Sequence, residues 1–168
     1  MKVQHQVIVD GYNVIRRTPA LNALFHKQLA QSRDALAARC AAWRQARRDV
    51  AEVLIVFDGR AAVADLLSTP GGAGVRAIFT PRSETADQRI AELVRESGAA
   101  RQLIVVSDDA EVVRQARACG AQVLAVREFL TPPRTRPGGP GAGASDDKVP
   151  TQEEGQINAW RRRELGLE

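Results

Sequence analysis

Four short runs rich in valine and isoleucine constrain this chain most: QVIVD ending at Asp10, EVLIVFD at Asp58, RQLIVVSDD at Asp108 and Asp109, and AQVLAV at Val126. Strands that alternate apolar and polar residues bury one face, whereas continuous apolar runs mark strands buried on both faces. A fifth run, VRAIFT at 75–80, is weaker and reads as an edge strand. Helical patterns lie between them. From Pro19 to Arg48, Leu21, Phe25, Leu29, Leu36, Cys40 and Trp43 mark one face of a long helix, with Thr18 as its cap and Pro19 at its first position. A second pattern runs from Glu84 to Ser97 through Ala86, Ile90, Leu93 and Val94, and a third through Val112, Val113 and Ala116 is closed by Gly120. Strands alternating with helices predict an α/β fold: a three-layer, Rossmann-like sandwich around a mostly parallel central sheet of about five strands.

The 168 residues suit one domain with an appendage. Residues 1–130 form the expected domain. Residues 131–150, dominated by proline, glycine and alanine, read as a flexible linker, and 151–168 as a short basic helix with Thr151 and Glu154 in capping-box spacing. No run approaches the roughly 20 apolar residues of a membrane span, and MKVQHQV lacks signal-peptide architecture, so a cytoplasmic protein without a membrane partner is expected. The net charge is +4, and Lys2, Lys27 and Lys148 are the only lysines. Arginine therefore supplies nearly all the positive charge, and its planar fork suits phosphate. Cys40 and Cys119 fall at apolar helical positions and read as small buried thiols.

In open α/β sheets, ligands bind beyond the carboxyl ends of the strands. Three of the strong strands end in aspartate, so Asp10, Asp58 and Asp108 converge if those strands are neighbours, and Glu84 and Asp87 open the helix before the third. Singly, each has an ordinary structural reading. Asp10-Gly11 and Asp58-Gly59 are turn dipeptides, Thr85 and Gln88 have capping-box spacing with Asp87 in the first turn, and Asp108 with Glu111 has the look of a cap. Together they point to a cation, because crowded carboxylates repel one another unless something positive compensates. Oxygen ligands without histidine favour magnesium or manganese, and His5 and His26 sit where no zinc site is expected. Such an ion beside carboxylates serves phosphate chemistry. No P-loop is present, since GGAG at 71–74 lacks the lysine; Tyr12 stands where an aspartyl phosphatase has its second aspartate; no lysine is placed as in a signalling receiver. Metal-dependent cleavage of a phosphodiester remains.

The segments VDGYNVI at 9–15, VFDG at 56–59, IFTPRSETADQRIAELV at 78–94, and VVSDDAEV with GAQVLAVREF from 105 to 129 resemble, in order, the NYN domain of the PIN-like nuclease superfamily, and within it the YacP-like ribonucleases. The resemblance implies a PIN-like sandwich and a Mg2+- or Mn2+-dependent endoribonuclease. It implies that Asp10, Asp87 and Asp108 bind metal, that Asn13 orients a ligand or water beside them, and that Asp58 and Glu84 join the cluster; Asp109 either replaces or supports Asp108. Glycine at position 59, where relatives more often carry alanine, reads as a minor change, and the segment 60–74 is less polar than the family pattern leads one to expect. RNA is the expected partner, single-stranded and mRNA in particular, and the resemblance adds the ribosome as a candidate. Arg16, Arg17, Arg82 and the run Arg161, Arg162, Arg163 are candidate phosphate contacts, with Trp160 beside that run. Tyr12 either stacks on a base or packs against the next helix. The rival reading is a non-catalytic RNA- or ribosome-binding module, whose mark would be lost carboxylates; here the acidic set is intact.

Overall fold

The computed structural model describes residues 4–59, 74–98 and 102–131. All of them belong to the first of the two units into which the chain divides, Met1–Arg134. The expected linker beyond Thr131, the C-terminal helix with Trp160 and Arg161 to Arg163, and nearly all of the segment 60–74 lie outside the described residues.

Among the described residues, five strands and six helices follow in the order β1 (His5–Asp10), α1 (Gly11–Arg17), α2 (Pro19–Lys27), α3 (Leu29–Gln45), β2 (Val50–Phe57), β3 (Val75–Phe79), α4 (Ala86–Glu96), β4 (Leu103–Val106), α5 (Ala110–Ala118), β5 (Gln122–Leu124) and α6 (Val126–Leu130). The strands form one sheet in the order β3-β2-β1-β4-β5, and every pairing is parallel. The VRAIFT run does lie at an edge, as β3. Among the described residues no helix is long and apolar enough to cross a membrane.

The alternation of side chains explains why the strand runs are apolar throughout. Val7, Val9, Val53, Ile55 and Phe57 face one way and pack with Val14 and Ile15 of α1, Leu36, Cys40 and Trp43 of α3, and Phe129 of α6. Ile8, Val56 and Val105 face the other way, onto Ile90 and Val94 of α4 and Val112 and Ala116 of α5. The central strand β1 lies between β2 and β4, and the helices that follow β1 and β4, α1 and α5, pack on opposite faces. That divergence opens a crevice at the carboxyl edge between the two strands.

Three local expectations are corrected. The segment 19–48 is not one helix: it breaks at Gln28, whose backbone is extended, into α2 and α3, which pack on each other. A straight helix over those thirty residues would be about 45 Å long, against about 26 Å for the eight residues of β2. Folding back keeps the apolar stripe on the sheet, and the Ser32 hydroxyl fastens the two helices by donating to the Leu21 carbonyl at 2.9 Å. Thr18 occupies the cap position of α2, but its hydroxyl donates backwards to the Val14 carbonyl at 2.7 Å. Likewise Gly11 and Asn13 belong to helix α1 and not to a free turn, because α1 starts directly after Asp10.

Candidate active site at the carboxyl edge

Asp10 is the last residue of β1 and only 4 % exposed. The Ser107 hydroxyl donates to its Oδ2 at 3.0 Å. Burial pushes the Asp10 carboxyl from 3.8 up to about 6; the Ser107 hydrogen bond and the Asn13 backbone pull it down, while Asp87 and Asp109 push it further up. The strand tolerates this cost. Val7, Ile8 and Val9 are essentially buried, and at ~1.5–3 kcal/mol each they outweigh the penalty on one carboxylate.

Asp109 follows from the same serine. Ser107 Oγ accepts the Asp109 N–H at 3.0 Å, and Asp109 Oδ1 caps α5 by accepting the N–H groups of Glu111 at 2.9 Å and Val112 at 3.3 Å. Asp87 lies in the first turn of α4, whose start is set by the Thr85–Gln88 capping box anticipated from the spacing. Its carboxyl is raised by burial first, then by Asp109, Asp58 and Glu111.

Asp58 directly follows β2, and buried Thr80 ties its loop to the one after β3. The Thr80 hydroxyl accepts the Gly59 N–H at 3.0 Å and donates to the Glu84 carbonyl at 2.7 Å. A Cβ on residue 59 would lie 1.5 Å from the Thr80 carbonyl oxygen, so glycine there is a requirement of this packing, not a minor change. Gly11 is similarly constrained, since a Cβ would meet the Phe57 ring at 2.4 Å. Asp58 and Glu84, with Arg82, Ser83 and Thr85, line a groove of about 500 Å³.

Of the two adjacent aspartates, Asp109 is the one whose charge acts on Asp10 and Asp87; Asp108 is absent from the groups that do so. The Asp108 N–H donates to Asn13 Oδ1 at 2.9 Å, while its Oδ1 accepts the Val126 N–H at 3.0 Å, which turns the side chain to the start of α6. The reason is local. Strand β4 ends at Val106, so alternation no longer assigns the side chains after it. A second groove, of about 490 Å³, is lined by Arg17, Asp108, Val126, Arg127, Leu130 and Thr131.

Tyr12 packs its ring against Phe25 and Phe57, at 5.7 and 5.1 Å between centroids, and its hydroxyl accepts from Arg33 Nη2 at 2.6 Å. Arg33 itself is 2 % exposed, with its guanidinium also against the Phe57 and Phe79 rings. Arg16 stands over the Phe25 ring, whereas Arg17 and Arg82 are exposed in the two grooves. Sequence reasoning passed over Ser107, Thr80, Arg33 and Arg127. A signal existed only for Ser107, as a hydroxyl wedged between an apolar strand and two acids.

Among the described residues, Asp10, Asp58, Asp87 and Asp109 form no ion pair with a basic side chain. Their donors are all oxygen, which fits a hard divalent cation such as Mg2+ or Mn2+. No three His, Cys, Asp or Glu side chains among the described residues stand close enough to grip an ion by themselves. Magnesium is commonly held by one or two carboxylates while keeping several waters, and it does not require such a trio.

Comparison with known proteins places this geometry in a family. The family model for the YacP-like NYN domain matches residues 7–135. A protein of Bacillus subtilis (strain 168) named "Uncharacterized protein YacP" is 33% identical over 104 residues, covering 61% of this chain and 59% of its own length. The chain thus spans somewhat over half of that relative. The crystal structure of a tryptophan-to-leucine mutant of Rae1 (YacP) from Bacillus subtilis is similar with a TM-score of 0.59 and 29% identity, over 76% of this chain and 73% of that one. A second Bacillus subtilis Rae1 (YacP) crystal structure shares the fold at a TM-score of 0.60 and 24% identity, over 98% of this chain and 80% of that one.

Proposed function

Because the chain belongs to the YacP-like NYN domain family, membership that fits an RNA-related nuclease function, we propose that it is a Mg2+- or Mn2+-dependent endoribonuclease cleaving single-stranded RNA, mRNA in particular. Asp10 carries this reading. A carboxylate buried at the end of the central strand, pushed up to about 6 and facing Asp87 and Asp109 without a basic partner, is costly unless the protein uses it.

One or two of Asp10, Asp87 and Asp109 would hold the cation directly and the rest through its waters, with Asp58 and Glu84 beside them. When bound, it activates a water and stabilises negative charge on a phosphoryl oxygen. Ser107 holds Asp10 Oδ2 and the Asp109 N–H at once, so it keeps the two carboxylates in fixed relation. Asn13 commits its Oδ1 to the Asp108 N–H, which leaves its amide nitrogen as a donor for a phosphate or a water. Thr80 keeps Asp58 and Glu84 on one groove, and exposed Arg16, Arg17 and Arg82 supply positive charge for the RNA backbone.

The test incubates the purified protein with labelled single-stranded RNA in Mn2+ or in EDTA, beside an Asp10→Asn variant. Cleavage is expected for the unaltered protein with metal; cleavage in EDTA, or by the variant at close to the unaltered rate, overturns the mechanism. One observation favours a second reading, RNA binding without turnover: among the described residues no three acidic groups grip an ion unaided. RNA bound but uncleaved in Mn2+ decides for that module.

A further inference from the structure

We propose that the groove between Arg17 and Arg127 is a phosphate subsite that holds the RNA backbone on the β4–β5 side of the scissile bond. This rests on the ribonuclease reading and adds to it a specific path for the strand. The groove adjoins the acidic centre through the chain itself: Asp108 forms part of its wall, and its neighbours Ser107 and Asp109 face Asp10 and Asp87.

Charge marks it as an anion site. Arg17 ends α1 and Arg127 lies in α6, so two separate elements bring guanidinium groups to one groove. Both are exposed, and among the described residues neither guanidinium has a hydrogen bond or ion pair. Elsewhere on the surface arginines do find partners, as Arg47 does in Asp49, Arg76 in Glu52, Arg89 in Glu92 and Arg114 in Glu111. Asp108 lines the same groove and offsets one of the two charges at most; its Oδ1 accepts the Val126 N–H, and among the described residues it forms no ion pair with either arginine.

Two like-charged forks lining one groove favour an anion that accepts from both, and a phosphodiester does. Arg82 lines the groove on the opposite side of the acidic centre. A strand crossing the carboxyl edge thus meets arginine, carboxylates, then arginine again. A mononucleotide would have no use for both flanks, which is why the substrate class is a chain of nucleotides. Leu130 adds apolar surface, Val126 is buried, and Thr131 spends its hydroxyl hydrogen on the Arg127 carbonyl, so the subsite reads backbone and not base identity.

The experiment measures binding apart from cleavage. Full-length Asp10→Asn protein is titrated against a fluorescein-labelled oligoribonucleotide by anisotropy over a range of KCl, with Arg17→Ala, Arg127→Ala and Arg127→Lys added in turn. Arg117→Ala is the control, an equal charge change at the far end of α5. Each alanine variant in the groove should weaken binding about three- to ten-fold and lower the salt slope by about 0.7, one single-strand phosphate contact. Arg127→Lys should keep the slope, and Arg117→Ala should change neither quantity. Losses for Arg17→Ala and Arg127→Ala no larger than for Arg117→Ala overturn the subsite while leaving the ribonuclease reading intact. No RNA binding at all overturns both. Arginine-dependent binding beside an unaltered protein that never cleaves supports the subsite and overturns the ribonuclease.

Discussion

At the amino ends of the strands Asp49 meets Arg47 at 3.0 Å and Glu52 is shared by Arg76 and Gln6, while at the carboxyl ends Asp10, Asp58, Asp87 and Asp109 have no basic side chain as partner among the described residues, and mutual repulsion pushes Asp10 and Asp87 up. The same residue type consequently behaves in opposite ways on one sheet. The Arg47 hydrogen bond holds the Asp49 carboxyl below its usual range, whereas burial holds Asp10 far above it. Arginine is plentiful enough to have paired both ends. Leaving one end unpaired costs stability, and that cost marks the end where an external cation and an RNA backbone are expected.

Exchanging Asp10 for asparagine breaks the contrast most severely. Cleavage should fall by more than about 100-fold, exceeding the loss that removing a ligand's supporting partner brings. Stability should move the other way. With its pKa raised from 3.8 to about 6, Asp10 is more stabilising when protonated; its contribution is complete below 3.8 and is lost as pH rises through 6. In EDTA at pH 8 the variant should therefore be more stable by about 1–3 kcal/mol in a urea titration, with the advantage gone by pH 4. A variant less stable than the parent at pH 8 would sink the idea that this end is strained.

Ser107→Ala sharpens the comparison at a single hydrogen bond. Without that donor the Asp10 pKa should rise further, moving the pH-dependent loss of metal-free stability to higher pH, and cleavage should drop by about 10-fold. Gly59→Ala tests the frame that carries Asp58: displacing the Thr80 backbone should cost about 1–3 kcal/mol by thermal melting. At the paired end, Arg47→Ala should cost under about 1 kcal/mol, because the pair is partly exposed. Asp49 supplies its stability above 3.8 and loses it as pH falls through its lowered pKa, so this small deficit should vanish in acid while cleavage stays unchanged.

The strands were legible because burial on both faces leaves no polar position to disguise them, as in β1 and β4, and α4 announced its start through Thr85 and Gln88. What stayed hidden depended on contacts distant in sequence. The break at Gln28 carries no proline or glycine; it follows from the length of the sheet that α2 and α3 must cover. Asp108 and Asp109 could not be ranked because the register that assigns sides in a strand stops at Val106. Arg33 looked like one more arginine on a helix, and the rings of Tyr12, Phe57 and Phe79 around it, with the Tyr12 hydroxyl, are contacts that no local pattern announced.

The hydrogen bond between Ser107 and Asp10 joins residues 97 positions apart, and this has a bearing on synthesis. A nascent chain emerging as far as Gly98 already holds β1, β2, β3 and α4 with Asp87, yet lacks both the serine that steadies Asp10 and Asp109, one of the two aspartates that oppose it. Early folding units close before distant ones, so the central strands can pair while Asp10 is still spared part of its repulsion. On the proposed ribonuclease reading the acidic site is therefore incomplete until β4 docks, and an unfinished chain carries no working cleavage site.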